Sequence, residues 1–173
     1  SGNGRTRMVF HAPTRGLIGY QGELLSDTRG TAIMNRVFHE YAPHKGKIAS
    51  RHTGVLIAMD KGEAVAFALW NLEDRGPMMI HPGDKVYGGM IVGEHNRDND
   101  LEVNDLKGKK LSTVRASGTD EAVRLTPPIQ MTLEKSLAYI DDTELVEVTP
   151  DNIRLRKIHL DPNVRKRESK KKA

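Results

Sequence analysis

Two nearly continuous apolar runs constrain the fold of this chain more than any other feature: GVLIAMD at residues 54–60 and EAVAFALW at residues 63–70. Neither run alternates between apolar and polar residues, which is typical of strands that are buried on both faces. Lys61-Gly62 lies between them and is a hairpin signal. The pattern therefore predicts two paired strands, well buried in a small sheet or barrel.

Turn and strand signals continue beyond this pair. Turns are predicted at 74–77 and 81–84, and the strand-like run KVYGGMIVGE follows at 85–94. Gly88-Gly89 inside that run predicts a bulge or sharp bend, a device by which small barrels turn corners.

The segment after residue 125 predicts one helix and a closing pair of strands. Thr126-Pro127-Pro128 is a favourable helix start, with the threonine as N-cap, and the helix should end near residues 141–142. An apolar stripe along it consists of Ile129, Leu133, Leu137 and Ile140. ELVEVT at 144–149 and NIRLRKI at 152–158 should then pair, and order should fade after Leu160.

The first 44 residues predict a strand, a helix and a strand. Residues 5–11 alternate in polarity, residues 15–27 have apolar side chains at helical spacing, and residues 31–41 return to strand composition. Three such elements bury too little apolar surface to be an independent domain. Residues 42–47 (APHKGK) interrupt both periodicities and predict a linker.

Composition excludes several classes of protein. Of 173 residues, 37% are hydrophobic and 29% charged, an ordinary globular mixture. The chain has no cysteine, which excludes disulfides and thiolate metal sites and suits a reducing cytoplasm. No apolar run approaches the ~20 residues that span a bilayer, so we expect a cytoplasmic protein without a membrane partner.

The segment between Val103 and Pro127 has no sustained periodicity and is rich in cations, glycine and hydroxyl side chains. Such a segment predicts a flexible cationic loop with donors suited to phosphate oxygens. Its candidate RNA-binding residues are Asn104, Lys107, Lys109, Lys110, Ser112, Arg115 and Ser117. A solvated surface loop without a ligand is the alternative interpretation.

The net charge of +4 is concentrated at the end of the chain. Residues 154–173 contain nine Lys/Arg and two Asp/Glu, whereas residues 1–153 contain 18 Lys/Arg and 21 Asp/Glu, a net charge of −3. An acidic body with a basic loop and a basic tail indicates oriented attachment to a polyanion.

No recognisable catalytic or metal motif is present. Gly108-Lys109 lacks the first glycine and the Ser/Thr of a phosphate-binding P-loop. Asp98, Asp100 and Glu102 alternate like a calcium loop, but Val103 and Lys109 stand where glycine and glutamate are required. The seven histidines have no zinc-binding spacing, and no nucleophile elbow occurs. We therefore do not expect this part of the protein to be an enzyme.

Three long strings resemble the C-terminal part of the BipA/TypA family, translational GTPases related to elongation factor G. They are PTRGLIGYQGELLSDTRGTAIMNRVFHEY, GEAVAFALWNLEDRGPMMIHPGDKVYGGMIVGEHNRDNDLEVN and LKGKKLSTVRASGTDEAVRLTPP. Neither folding nor composition requires combinations such as KGKKLSTVRASGTDEAV, so the resemblance is specific.

The resemblance implies an α+β fold in which residues 1–44 are the second half of a ferredoxin-like unit, similar to domain V of elongation factor G. Residues 45–160 would be a small, mostly antiparallel β-barrel domain with one main helix, and residues 161–173 a basic, disordered tail. The GTPase domain would precede the matched region. GTP and magnesium are therefore expected there, and no cofactor is expected here.

Members of the family are understood to bind the ribosome and to support large-subunit assembly under stress. The implied partners are large-subunit rRNA, the acceptor end of A-site tRNA and the other domains of the parent chain. The loop from Asn104 to Gly118 would enter the ribosomal A site, with Lys107, Lys109, Lys110 and Arg115 on phosphates. The alternative is a protein-interaction or structural module without direct RNA contact.

Overall fold

The computed structural model describes residues 4, 6–46, 51–107 and 124–172. The chain divides into two compact units, Ser1–Ala49 and Ser50–Ala173. Both helices and strands occur, so the fold class is α+β, as the sequence predicts.

The first unit contains a 3-10 turn at Thr14–Leu17 and helix α1 at Tyr20–Asp27. Gly30, at φ 79°, donates its amide to the Leu25 carbonyl at 2.7 Å and so ends the helix in a left-handed turn. The predicted helix is thus confirmed in its second half, and glycine closes it as expected.

The prediction of two strands in the first unit is wrong for the residues that the structure describes there. Residues 6–11 and 31–41 lie in no strand, and none of the described residues of this unit is buried. Phe10, Val37 and Tyr41 are 76%, 89% and 95% exposed. Strands need hydrogen-bonding neighbours and a covered face, and alternation of polarity cannot supply either.

The second unit holds the strands, three further α-helices and a 3-10 turn at Glu73–Arg75 of the described chain. The strands are β1 (Val55–Ala58), β2 (Gly62–Glu63), β3 (Lys85–Val86), β4 (Ile91–Glu94), β5 (Leu101–Val103), β6 (Glu144–Val148) and β7 (Ile153–Lys157). The helices are α2 (Ala66–Leu72), α3 (Leu133–Tyr139) and α4 (Pro162–Lys172).

Strand β1 lies at the centre of the largest sheet, antiparallel to β4 and parallel to β5. Leu56 and Ala58 belong to one core cluster, which includes Leu69 of α2. Val55 and Ile57 belong to a second cluster, which includes Leu155 of β7. Burial of the first apolar run on both faces, predicted from its lack of alternation, is therefore confirmed.

The second apolar run forms helix α2, so the predicted hairpin with the first run is wrong. Of residues 62–70, only Gly62 and Glu63 lie in a strand, which pairs with β3. The Val65 amide bonds the Asp105 carbonyl at 3.0 Å, and the helix begins at the next residue. Alanine, leucine and phenylalanine are compatible with a buried helix as well as a strand, so tertiary contacts decided the outcome.

The predicted bend at Gly88-Gly89 is confirmed. It separates β3 from β4, and Gly89 adopts φ 89°. The closing strands are also confirmed, because β6 and β7 pair in antiparallel register from Glu144↔Lys157 to Val148↔Ile153.

Two details of the predicted domain differ from the structure. Helix α3 starts at Leu133 with Thr132 as N-cap, whereas the predicted start was at Thr126. Residues that precede proline favour extended conformations, and Thr126 and Pro127 both do so. The described part of residues 45–160 also contains two α-helices, where one main helix was predicted.

The predicted barrel is not observed as a closed sheet among the described residues. Their strands form three separate sheets, ordered β4-β1-β5, β2-β3 and β6-β7. A single bridge, Met90↔Arg156, links the β6-β7 pair to the strand region around β4. Strands of two to five residues leave too few ladder positions to join these sheets continuously.

The tail after residue 160, predicted to be disordered, forms helix α4. The Asn163 amide donates to Asp161 Oδ1 at 2.7 Å, so Asp161 caps the helix, and Pro162 occupies the first helical position. Both residues are helix-start signals, which a reading of composition alone overlooks.

A cluster of charges is buried between the β6-β7 pair and the main sheet. Arg51 donates to both Glu144 oxygens, at 2.7 and 2.5 Å, and Lys157 Nζ donates to Glu144 Oε1 at 2.8 Å. Lys157 also pairs with Asp100 at 2.6 Å, and Asp100 accepts the Val55 amide. The cluster therefore fastens the closing strands to β1 through charged hydrogen bonds.

A second buried carboxylate has no such partners. Asp105 is fully buried, and neither of its carboxylate oxygens has a hydrogen-bond partner. Burial, together with the nearby charge of Asp60, raises the pKa of Asp105. The folded state therefore disfavours the ionised form of this side chain.

Hydrogen exchange on the whole chain tests the contrast between the two units. We expect amides in 6–11 and 31–41 to exchange nearly as fast as in an unstructured peptide, because no strand ladder or core covers them. Amides of β1 should be the most protected. Equal protection in the two regions would contradict this description of the first unit.

Two substitutions test the buried charge cluster. Glu144→Ala should lower the free energy of unfolding by about 3–5 kcal/mol, because it leaves the largely buried cations of Arg51 and Lys157 without their shared partner. Lys157→Met should cost under about 2 kcal/mol, because Glu144 keeps both bonds from Arg51. Denaturant titration measures both, and the reverse order of effects would show that Glu144 is not the centre of the cluster.

The variant Asp105→Asn tests the cost of the buried carboxylate. A raised folded-state pKa means that the wild type loses stability as the pH rises from the unfolded value, about 3.9, to the folded value. The free energy of unfolding of the variant should therefore rise relative to that of the wild type as the pH rises, by about 1.4 kcal/mol per unit of pKa elevation. Denaturant unfolding at several pH values measures the difference, and a constant difference from pH 4 to 7 would contradict the prediction.

Candidate nucleic-acid interface

The predicted cationic segment leaves the described structure at Lys107 and re-enters it at Arg124. Asn104 and Lys107 are described and exposed. The other predicted RNA-binding residues lie outside the described residues: Lys109, Lys110, Ser112, Arg115 and Ser117. Asn104 already uses its side chain locally, because its Oδ1 accepts the Leu106 amide at 3.0 Å.

The chain is firmly attached where it enters this segment. The Met59 amide bonds the Val103 carbonyl at 3.1 Å, at the end of the β1-β5 pairing. Leu106 packs on Gly62, where an added Cβ would come within 2.9 Å of its Cδ atoms. Buried Asp105 lies between these two contacts. Residues 103–106 thus form a fixed stem. Lys107 is the first exposed cation that follows this stem.

The chain is attached again where it returns. The Thr126 amide donates to Glu73 Oε1 at 2.6 Å, and the Ile129 amide bonds the Met78 carbonyl at 2.8 Å. Leu125 packs against the first core cluster. Both ends of the cationic segment are therefore held by the second unit. The residue that contacts the first end, Gly62, precedes α2 in the sequence, and the residue that contacts the second end, Glu73, follows it.

A cavity of about 290 Å³ lies beside the returning end. Its lining is mostly apolar, with Leu69, Met78, Ile80 and Leu125 among it, and it also includes the polar residues Glu73, His81 and Thr126.

Sequence reasoning identified a basic tail but missed that its cations lie on a helix. Helix α4 carries six of them: Arg165, Lys166, Arg167, Lys170, Lys171 and Lys172. Arg165 donates to Glu102 Oε1 at 3.0 Å, which attaches the helix beside β5, the strand that leads into the cationic segment. The Asp161-Pro162 start signal could have identified this helix.

The described part of the chain contains no group of three or more His, Asp or Glu side chains arranged to hold a metal ion. Among the same residues, no helix has the length and apolar character needed to cross a bilayer.

Two family models match the chain. Residues 53–162 match the TypA/BipA C-terminal domain, and residues 1–52 match the C-terminus of elongation factor G. The first match covers more than half of the chain.

Relatives with the name large ribosomal subunit assembly factor BipA are similar along most of the chain. The protein of Escherichia coli (strain K12) is 52% identical over 170 residues, which cover 98% of this chain and 28% of that protein. That of Bacillus subtilis (strain 168) is 47% identical, covering 99% and 28%. That of Synechocystis sp. is 49% identical, covering 90% and 26%.

The chain thus spans little more than a quarter of the length of these relatives. Its resemblance to the BipA/TypA family, first inferred from three long strings of sequence, is confirmed by the family model and by these identities. The chain belongs to the TypA/BipA family, and residues 53–162 correspond to the C-terminal domain of that family.

Proposed function

We propose that this chain is the ribosome-docking, RNA-binding C-terminal module of a translational GTPase that acts in large-subunit assembly. The observation that carries the proposal is the cationic segment whose two ends are attached to one folded unit, at Leu106 and at Thr126. The relatives' names, which describe large ribosomal subunit assembly factors, support the choice of the ribosome as partner.

The proposed mechanism is positioning by charge and hydrogen bonds. Lysine and arginine side chains neutralise phosphates, and the released counterions supply a large part of the affinity. Because both described ends of the segment are attached to one folded unit, less entropy is lost on binding than for a free peptide. Sequence-independent phosphate contacts of this kind determine where the protein sits and leave chemistry to other parts of the assembly.

The finer assignments follow from the same proposal. Asn104, Lys107, Lys109, Lys110, Ser112, Arg115 and Ser117 contact rRNA or the acceptor end of A-site tRNA. The GTPase reaction, with its GTP and magnesium, belongs to other domains of the parent protein. The setting is the cytoplasm, where ribosomes assemble.

Exposed apolar residues of the first unit favour an additional structural role. Met8, Phe10, Ile33, Val37 and Phe38 are each at least 70% exposed. We propose that this unit is the second half of a ferredoxin-like domain, whose remaining strands and helix come from another part of the parent chain. Such packing concerns the first unit and leaves the RNA-binding proposal for the second unit unchanged.

Replacing Lys107, Lys109, Lys110 and Arg115 together by alanine tests the RNA-binding proposal. The log–log salt slope of ribosome binding should become shallower by about three units, at ~0.7–0.9 per lost phosphate contact. The thermal transition should hardly change, because exposed charges contribute little to folding stability. Filter binding across a salt series and thermal unfolding supply the two measurements.

The matched control replaces four other exposed cations, three lysines and one arginine: Lys61, Lys85, Lys135 and Arg75. It removes the same charge and should keep a salt slope close to that of the wild type. Equal effects of the two variants would show that only net charge matters. Wild-type binding without a salt dependence would instead favour the protein-interaction alternative.

A further inference from the structure

Helix α4 has an inner face that is occupied and an outer face that is not. On the inner side, Arg165 donates to the carbonyls of His159 and Leu160 and to Glu102, at 2.8, 2.7 and 3.0 Å. Leu160 packs so closely on Gly89 that an added Cβ there would lie 2.9 Å from the Leu160 Cα. These contacts fix where the helix begins and which side of it faces the β5 edge.

The outer face presents three cations. Lys166, Arg167 and Lys170 are exposed, and no hydrogen bond or ion pair joins their side chains to another described residue. Lys170 follows Arg167 by three residues and Lys166 by four, so it neighbours both of them on one side of the helix. The one acidic residue of the helix, Glu168, is half-buried and bonded to Lys171 at 2.7 Å.

This arrangement is unfavourable for the helix alone. Like charges at three- and four-residue spacing each destabilise a helix by about 0.2–0.5 kcal/mol. An isolated helix of 11 residues is also below the length that is stable in water. A polyanion on the outer face would remove the repulsion and stabilise the last turns.

The chemistry of the face discriminates between polyanions. The helix contains no aromatic residue, so it cannot stack the bases of a single strand. Its only large apolar side chain is Val164, which is too little to insert into a membrane surface. Unpaired cations without stacking or apolar groups match the phosphate backbone of an RNA duplex, which proteins recognise by shape and charge.

We propose that the outer face of α4, formed by Lys166, Arg167 and Lys170, binds the phosphate backbone of an RNA duplex as a site separate from the cationic segment. The choice of RNA rests on the proposed function, whereas the site itself rests on the geometry of the helix. Arg165 is a positioning residue, because its bond to Glu102 orients the helix on the second unit.

The experiment uses the 173-residue chain and a fluorescein-labelled RNA hairpin of about 16 base pairs, the span that compact duplex-binding domains cover. The variant is Lys166→Gln, Arg167→Gln and Lys170→Gln together, because glutamine has a helix propensity close to that of lysine and arginine. Anisotropy at a series of salt concentrations should show a slope about two to three units shallower and affinity at least about tenfold lower at moderate salt.

Two controls accompany it. Lys61→Gln, Arg75→Gln and Lys85→Gln together remove the same charge from exposed positions elsewhere and should leave the slope nearly unchanged. The charge-conserving exchange Lys166→Arg, Arg167→Lys and Lys170→Arg should keep the wild-type slope. Circular dichroism of all variants checks that the helix persists.

The outcomes separate this site from the proposed function. If the α4 variant binds the hairpin with wild-type affinity and slope, the α4 site is wrong, and the alanine variants of the cationic segment still test ribosome binding independently. Tighter binding of the wild type to polyglutamate or to phosphatidylserine vesicles than to the hairpin would also overturn it, in favour of an acidic protein or a membrane surface.

Discussion

The second unit depends on strand β1, which is buried on both faces. Leu56 and Ala58 contact the cluster that includes helix α2, while Val55 and Ile57 contact the cluster that includes β7. Because both clusters share this four-residue strand, loss of its register would uncouple them. Each fully buried aliphatic side chain contributes about 1.5–3 kcal/mol, so this single strand supplies a large part of the stability of a small unit. The stem of the cationic segment is attached to the same strand through β5.

Charged contacts add orientation to this apolar core. Glu144 joins Arg51 and Lys157, and Lys157 continues to Asp100, whose other oxygen accepts the Val55 amide. The chain of bonds determines how the β6-β7 pair lies on the main sheet, which the short Met90↔Arg156 bridge alone would specify weakly. A buried charge cluster as a whole adds little net stability, because desolvation of its charges offsets their attraction, whereas removal of one of its side chains leaves an uncompensated charge. The main contribution of this cluster is therefore the geometry that it imposes. The carboxylate of Asp105, by contrast, is buried without a hydrogen-bond partner and therefore lowers the stability of the stem of the cationic segment.

The second unit carries two basic features: the cationic segment, whose ends it holds, and helix α4. The cationic segment is attached at both ends, whereas α4 is attached at its first turn and exposes its cations toward solvent. Glu102 connects them, because it lies in the strand before the segment and accepts a hydrogen bond from Arg165. If both surfaces bind phosphate, as we propose, they restrict orientation more than either one alone, since simultaneous contacts are possible only in a few poses. Such a restriction would suit the RNA-docking function that we propose for this member of the TypA/BipA family.

Local pattern alone determined several features of this protein: the burial of the first apolar run, the bend at Gly88-Gly89, the closing strands, and the family, through strings that folding does not require. Tertiary structure decided the rest, because each remaining choice depended on a distant partner. The run at 63–70 became a helix where the Val65 amide met the Asp105 carbonyl, 40 residues away in the sequence. Arg51 and Glu144 are separated by 93 residues, so no window of sequence could pair them. The two segments of the first unit that were predicted as strands lie in no strand among the described residues, because sequence patterns specify which face is buried only when another element is present to cover it.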